Sequence, residues 1–252
     1  MSDISIYGLL GFLFLIHSST RFSSFNLLDI IVNNIVQNYC KHYNYHNYFK
    51  QILYLCEKHT MENFYLVLIK KDGEIIHNTF ATSHDNLIDK YIIPNDIPYS
   101  NFFRAKFRPK DELSLVNVDE YKLLIQETFI PEWFDDEFRI NTINKLRNII
   151  KSMIITTHKN LLLNEGVILS KTAKIDKVMN CIVYAMYDSS NVKSLCCNSQ
   201  VLLVSDECII DKTEDNSRIE EMYGNALVNE MYGYSKIMKM HGNTKVLKMY
   251  NN

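Results

Sequence analysis

Towards the C-terminus, hydrophobic and polar positions recur with a period of nine residues. From Val178 the chain reads VMNCIVYAM, YDSSNVKSL, CCNSQVLLV, SDECIIDKT, EDNSRIEEM, YGNALVNEM, YGYSKIMKM and HGNTKVLKM without gap or insertion, and YNN begins a ninth unit. The sixth position of every complete unit is β-branched: Val183, Val192, Val201, Ile210, Ile219, Val228, Ile237 and Val246. Stiff χ1 angles suit a pleated surface better than a helix, so this column predicts an inward-facing strand position. Two residues earlier, on the same face of a strand, stand the small residues Cys181, Ser190, Ser199, Cys208, Ser217, Ala226, Ser235 and Thr244. The ninth column, from Met186 to Met249, is apolar in all copies but Thr213 and is expected to close the core at the bend. Columns five and eight, with Arg218, Lys236, Lys245, Glu221, Glu230, Lys239 and Lys248, are expected to face water.

Columns two and three hold Asp188, Asp206, Asp215, Gly224, Gly233 and Gly242, then Asn180, Asn198, Asn216, Asn225 and Asn243. Gly, Asp and Asn accept positive φ or bond back to their own backbone, as turns require. One turn and one short strand per unit predict a parallel β-solenoid with two units per coil, in which each coil touches only its neighbours.

Upstream the periodicity changes. Residues 64–70 and 74–80 read as a hairpin around Asp72-Gly73. Ser83 is placed to cap a short helix through Tyr91, and 102–107 and 121–127 read as further strands. The segment IPEWFDDEF opens a helix expected over about 132–156, with Phe138, Ile143, Leu146, Ile149, Ile150 and Met153 at three- and four-residue spacing. Asp135, Asp136 and Glu137 suit its positive N-terminal end. Its apolar face is expected to pack on the sheet and cap the first coil, and Val167 and Ile175 predict degenerate initial coils between helix and array. The predicted class is α+β: a small α/β domain over 61–164, then a β-solenoid over 165–252. Residues 1–60 read as a hydrophobic, helical extension, either native or upstream of the true start of the fold, because Met61 begins a natural domain start. The apolar run within 6–16 is too short to span a bilayer, and no basic segment precedes it.

Composition narrows the partners. The 252 residues carry a formal charge of −2, which argues against broad nucleic-acid binding. The six cysteines show no paired framework and, inside the repeat, share columns with serine, so they are read as reduced, in a cytoplasmic protein or in the host cytoplasm if viral. The membrane is not an expected partner.

The run YGNALVNEMYGYSKIMKMHGNTKVLKM resembles the YGSSxV-type nonapeptide arrays of uncharacterised bacterial and phage (or viral) proteins, and the segment from Met61 through IPEWFDDEF is similar to the small domain that precedes such arrays. The resemblance implies a β-solenoid behind a small α/β domain and no particular reaction. Calcium-binding nonapeptide repeats need paired glycines in each unit, and hexapeptide acyltransferases have a six-residue period; neither pattern is present.

Candidate chemistry is sparse. Arg104, Lys106, Arg108 and Lys110 alternate on a strand and would present one basic face to a phosphate or nucleotide. Tyr187, Tyr223, Tyr232 and Tyr250 share the first column, where they would form an exposed aromatic ladder of the kind enriched at interfaces. His241 shares that column and reads as a turn residue. Cys40, His42, His46, Cys56 and His59 are zinc-ligand types at a spacing that matches no known finger. The sequence is therefore expected to encode an interaction or scaffold protein with a protein partner, with no catalytic residues, no cofactor and no metal. The alternatives are a phosphate- or nucleotide-binding protein or enzyme on the basic strand, and a structural component of a virion or fibre.

Overall fold

The computed structural model describes residues 64–91, 101–111 and 113–250. The expectations for residues 1–60, including Cys40, His42, His46, Cys56 and His59, lie outside the described residues.

The small domain is built on a four-stranded antiparallel sheet of β1 (Leu66–Lys70), β2 (Ile75–His77), β3 (Phe102–Arg108) and β4 (Lys122–Ile125), in the order β2-β1-β3-β4. Gly73, at φ +82°, makes the predicted hairpin turn, and the Glu74 amide donates to Asp72 across it. Helix α1 (His84–Tyr91) follows β2, and Ser83 Oγ accepts from the Asn86 amide at 3.1 Å as the cap. Strand alternation then sorts the side chains. Leu66, Leu68 and Phe102 pack with Leu87 and Ile88 of α1 on one face. Val67, Ile69, Phe103, Ala105, Phe107 and Leu123 point the other way, into a larger core.

Helix α2 (Asp136–Met153) is shorter than the sequence predicts at both ends. The acidic run is divided: Asp135 is the N-cap, accepting from the Phe138 amide at 2.8 Å, and Asp136 and Glu137 form the first turn. Pro131 sits outside the helix, in a turn closed by the Phe134 amide. Replacing Asp135 by Ala orphans a helix donor and is expected to cost about 1 kcal/mol in urea denaturation, with Asp135→Asn losing only a fraction of it.

The helix runs directly into the solenoid, which begins at Ile154 rather than at 165. Its strands are β5 (Ile154–Ile155), β6 (His158–Leu163), β7 (Gly166–Leu169), β8 (Lys174–Met179), β9 (Ile182–Met186), β10 (Asn191–Cys196), β11 (Gln200–Val204), β12 (Ile209–Thr213), β13 (Arg218–Met222), β14 (Leu227–Tyr232), β15 (Lys236–Met240) and β16 (Lys245–Tyr250). Odd and even strands form two separate six-stranded parallel sheets, so each coil contributes one strand to each sheet. Five steps of about 4.8 Å make the stack about 24 Å tall. Val183 pairs with Val201, Val201 with Ile219 and Ile219 with Ile237, so the β-branched column becomes a ladder in register. The initial coils are degenerate as expected: the register shifts between Val167 and Ile168, and only two residues form β5.

Columns four, six and nine point inward. Cys181, Ser190, Ser199, Cys208, Ser217 and Ala226 are buried beside Val183, Val192, Val201, Ile210, Ile219 and Val228. Ser199 shows how a buried hydroxyl is satisfied locally, its Oγ donating to the Cys196 carbonyl at 2.8 Å. Each buried Val or Ile contributes about 1.5–3 kcal/mol.

The outward columns depart from expectation on one sheet. In β9 and β11, Ile182, Tyr184, Ala185, Leu202 and Leu203 are buried. They belong to the same core as Phe64, Phe103 and Phe107 of the small domain and Leu146 and Ile150 of α2. The α/β domain therefore lies on the outer face of the odd sheet, and those positions are apolar because they are its platform. On the even sheet many equivalent positions are polar, as with Lys174, Lys177, Asn191 and Lys193, and the apolar Ile209 and Leu227 stay partly exposed. The approach is close: a Cβ on Gly166 would come within 2.2 Å of the Thr79 side chain, and Tyr184 donates to the Thr79 carbonyl at 3.2 Å.

Candidate functional site

The basic strand is real but locally balanced. Arg104, Lys106 and Arg108 lie half-buried on the face of β3 that looks towards α1. The Arg104 guanidinium stands 3.7 Å from Asp85 and 3.9 Å from Glu127, and Lys110 is 3.9 Å from Glu120. Within this face the His84 Nε2–H donates to the Ala105 carbonyl at 2.9 Å, and burial holds the imidazole below its ordinary pKa.

The column of tyrosines does not form one ladder. Two units per coil send alternate copies to opposite edges of the solenoid, so Tyr187, Tyr223 and His241 share one edge and Tyr232 and Tyr250 the other. Tyr187 is buried beneath the small domain, where its hydroxyl accepts from the Leu115 amide at 2.9 Å. What remains is two short stacks: Tyr223 on His241, with centroids 4.4 Å apart, and Tyr232 on Tyr250 at 4.5 Å. Each stack is anchored by a carboxylate two residues before it. Tyr223 donates to Glu221, which also receives Lys239 at 2.7 Å, and Tyr232 donates to Glu230 at 2.8 Å. These bonds hold both carboxylates below the ordinary glutamate range, led by Lys239 at Glu221 and by Tyr232 at Glu230.

Within the described residues both stacks reach the coil of β15 and β16. Among the described residues β15 and β16 pair with β13 and β14 on one side only. Met238, Met240, Leu247, Met249, Tyr234 and Tyr250 are exposed there. The ninth column, fully closed at Met186 and Met222, is thus uncovered at Met240 and Met249, which are 44% and 65% exposed. Around this apolar rim stand Lys236, Lys239, Lys245 and Lys248, all exposed. Sequence reasoning passes over Met238 and Leu247. For Leu247 the signal is an apolar residue in the seventh column, where the other even-sheet copies Lys193, Asp211 and Asn229 are polar; for Met238, on the odd sheet, it is an apolar residue following Glu220.

The turn edges are held by a repeated carboxylate bond. Asp188 Oδ2 accepts from the Lys171 amide at 2.6 Å, Asp206 from Asp188 at 2.9 Å and Asp215 from Cys197 at 2.9 Å, each across one coil. Later copies replace Asp by Gly; Gly224 has φ +69° and lies so close to the Asp206 backbone that a Cβ would stand 3.0 Å from its nitrogen.

Among the described residues no helix is long and apolar enough to cross a membrane. No protein-family model matches the chain, and neither a curated protein nor a solved structure does.

Proposed function

We propose that the protein is a non-enzymatic interaction or scaffold protein, and that the coil of β15 and β16, uncovered on its far side among the described residues, is the surface it offers to a protein partner. The observation that carries this reading is the pair of one-sided strands β15 and β16, bordered by exposed Met238, Leu247 and Met249. Such edges present unpaired backbone groups that an added strand satisfies. The charge pattern indicates what kind of strand. In column eight, Glu221 in one layer meets Lys239 in the next, and Glu230 meets Lys248. A partner strand with acidic side chains continues that alternation, whereas a second copy of this coil would bring lysines against lysines.

A photo-crosslinking residue placed at Leu247 in the expressed full-length protein is expected to capture a protein partner, and one placed at Lys193, three layers away on the same outer face of the even sheet, is not. Equal capture at both positions, or capture at Lys193 alone, overturns the proposal.

A further inference from the structure

We infer that Cys196, Cys197 and Asp215 form a three-ligand site for a thiophilic divalent cation, Zn2+ foremost. One ligand atom from each of the three lies within 4.8 Å of the other two. The two sulfurs are 4.0 Å apart, and with zinc–sulfur bonds of about 2.3 Å that separation corresponds to about 120° at the metal, within reach of tetrahedral coordination. Asp215 closes the third side from the coil above, with its Oδ2 already fixed 2.9 Å from the Cys197 amide. Asp215 is exposed and Cys197 half-buried, which leaves the fourth position to water.

The turn that carries Cys197 fixes its position. Cys197 has φ +61°, in the left-handed region. The other second-column residues with positive φ are Asp188, Asp206, Asp215, Gly224, Gly233 and Gly242, the types that conformation favours. Lys171 has the same conformation at the equivalent turn, φ +59°, its amide likewise bound to a carboxylate in the next coil, so what distinguishes this turn is the thiol it carries beside the Cys196 thiol. The Asp bond recurs at Asp188 and Asp206 without cysteines, so the carboxylate belongs to the turn in any case; the adjacent thiols are what this turn adds. Glu214, one layer above Cys196, is held by Lys212 at 2.7 Å and Ser194 at 3.0 Å and is not counted among the ligands.

Two sulfur donors with a single carboxylate select zinc and similar soft ions over calcium or magnesium. Burial and the neighbouring thiol push the Cys196 thiol up to about 11, so both sulfhydryl protons leave for solvent as the two metal–sulfur bonds form, and affinity rises with pH.

The test uses tag-free full-length protein carrying Cys40→Ser and Cys56→Ser, stripped of metal under reducing conditions and titrated with Co2+ and then Zn2+. One equivalent of Co2+ is expected to give a thiolate-to-cobalt charge-transfer band that Zn2+ abolishes. Cys197→Gly, which installs the residue other copies carry at this turn and so preserves the fold, is expected to remove the band. Asp215→Asn, which removes the ligand's charge, is expected to weaken Co2+ binding. No band in the starting protein, or a band that survives Cys197→Gly, overturns the inference. Cys196→Ser checks the second thiol with the same criteria.

Discussion

Leu202→Lys is expected to unfold the α/β domain while leaving most of the solenoid folded. Leu202 is 3% exposed and belongs to the core that the outer face of the odd sheet shares with Phe103, Phe107 and Leu146. Glu220 stands beside Leu202 in the next layer but is already paired with Arg218, so a lysine at 202 must either bury a charge against an engaged carboxylate, at a cost of about 3–5 kcal/mol, or lift the domain off its platform. Lys193 occupies the same seventh column in the preceding unit, but on the even sheet, where its side chain is 65% exposed and meets Asp176. The reciprocal change Lys193→Leu removes only a surface ion pair and is expected to stay within about 1 kcal/mol of the parent. The two domains can be read separately because Trp133 is the chain's single tryptophan and packs against the small-domain core. In guanidinium titrations, Trp133 fluorescence should report early unfolding for Leu202→Lys, while the far-ultraviolet signal of the strands keeps a later transition. Coincident, unshifted transitions would mean that the platform does not hold the domain.

This asymmetry between sheets explains what the sequence could and could not show. The β-branched column, the small fourth column and the turn residues were legible because a strand layer meets the same neighbours in every coil, so the same side chains recur. The outward columns of β9 and β11 obey no repeat because they answer to a different neighbour, a domain far upstream in the sequence. Tyr184, for example, packs edge-on against Phe64 with ring centroids 4.8 Å apart, where the next copy on the even sheet is Lys193. Tyr187 illustrates the same effect. It occupies the column of Tyr223 and Tyr232, yet tertiary packing buries it under the small domain, a fact no column statistic contains. Ile154 and Ile155 continue the apolar spacing of α2, and only their pairing with Ile168 and Leu169 makes them the first strand of the solenoid. The split of the aromatic column, in contrast, was implicit in two units per coil, since alternate turns must lie on opposite edges.

The parts of the molecule that confer stability differ in packing from the part proposed to bind. Inner coils are sealed above and below, and their columns are uniform. The coil of β15 and β16 keeps the inward pattern at Ile237 and Val246 but has no layer above it among the described residues, so its apolar side chains are only partly covered. A surface meant to receive another strand has to remain incompletely packed until the partner arrives, and its edge lysines restrain indiscriminate pairing meanwhile.

Ile219→Ala and Ile237→Ala measure that gradient directly, because they delete the same atoms from the same column one coil apart. Ile219 is 1% exposed, with Val201 beneath it and Ile237 above in register. Removing its side chain beyond Cβ leaves a cavity closed on both sides, and the expected loss is about 2–5 kcal/mol. Ile237 is half-buried and packs on one layer only, so its surroundings can collapse or admit water, and the expected loss is less than about half as large. Amide hydrogen exchange should follow the same order, with β15 and β16 opening at lower free energy than β11 and β13, because each layer depends on its neighbours rather than on the whole stack. Equal losses for the two substitutions would show the terminal coil to be as well packed as the interior, and would remove the physical basis for assigning the binding surface to it.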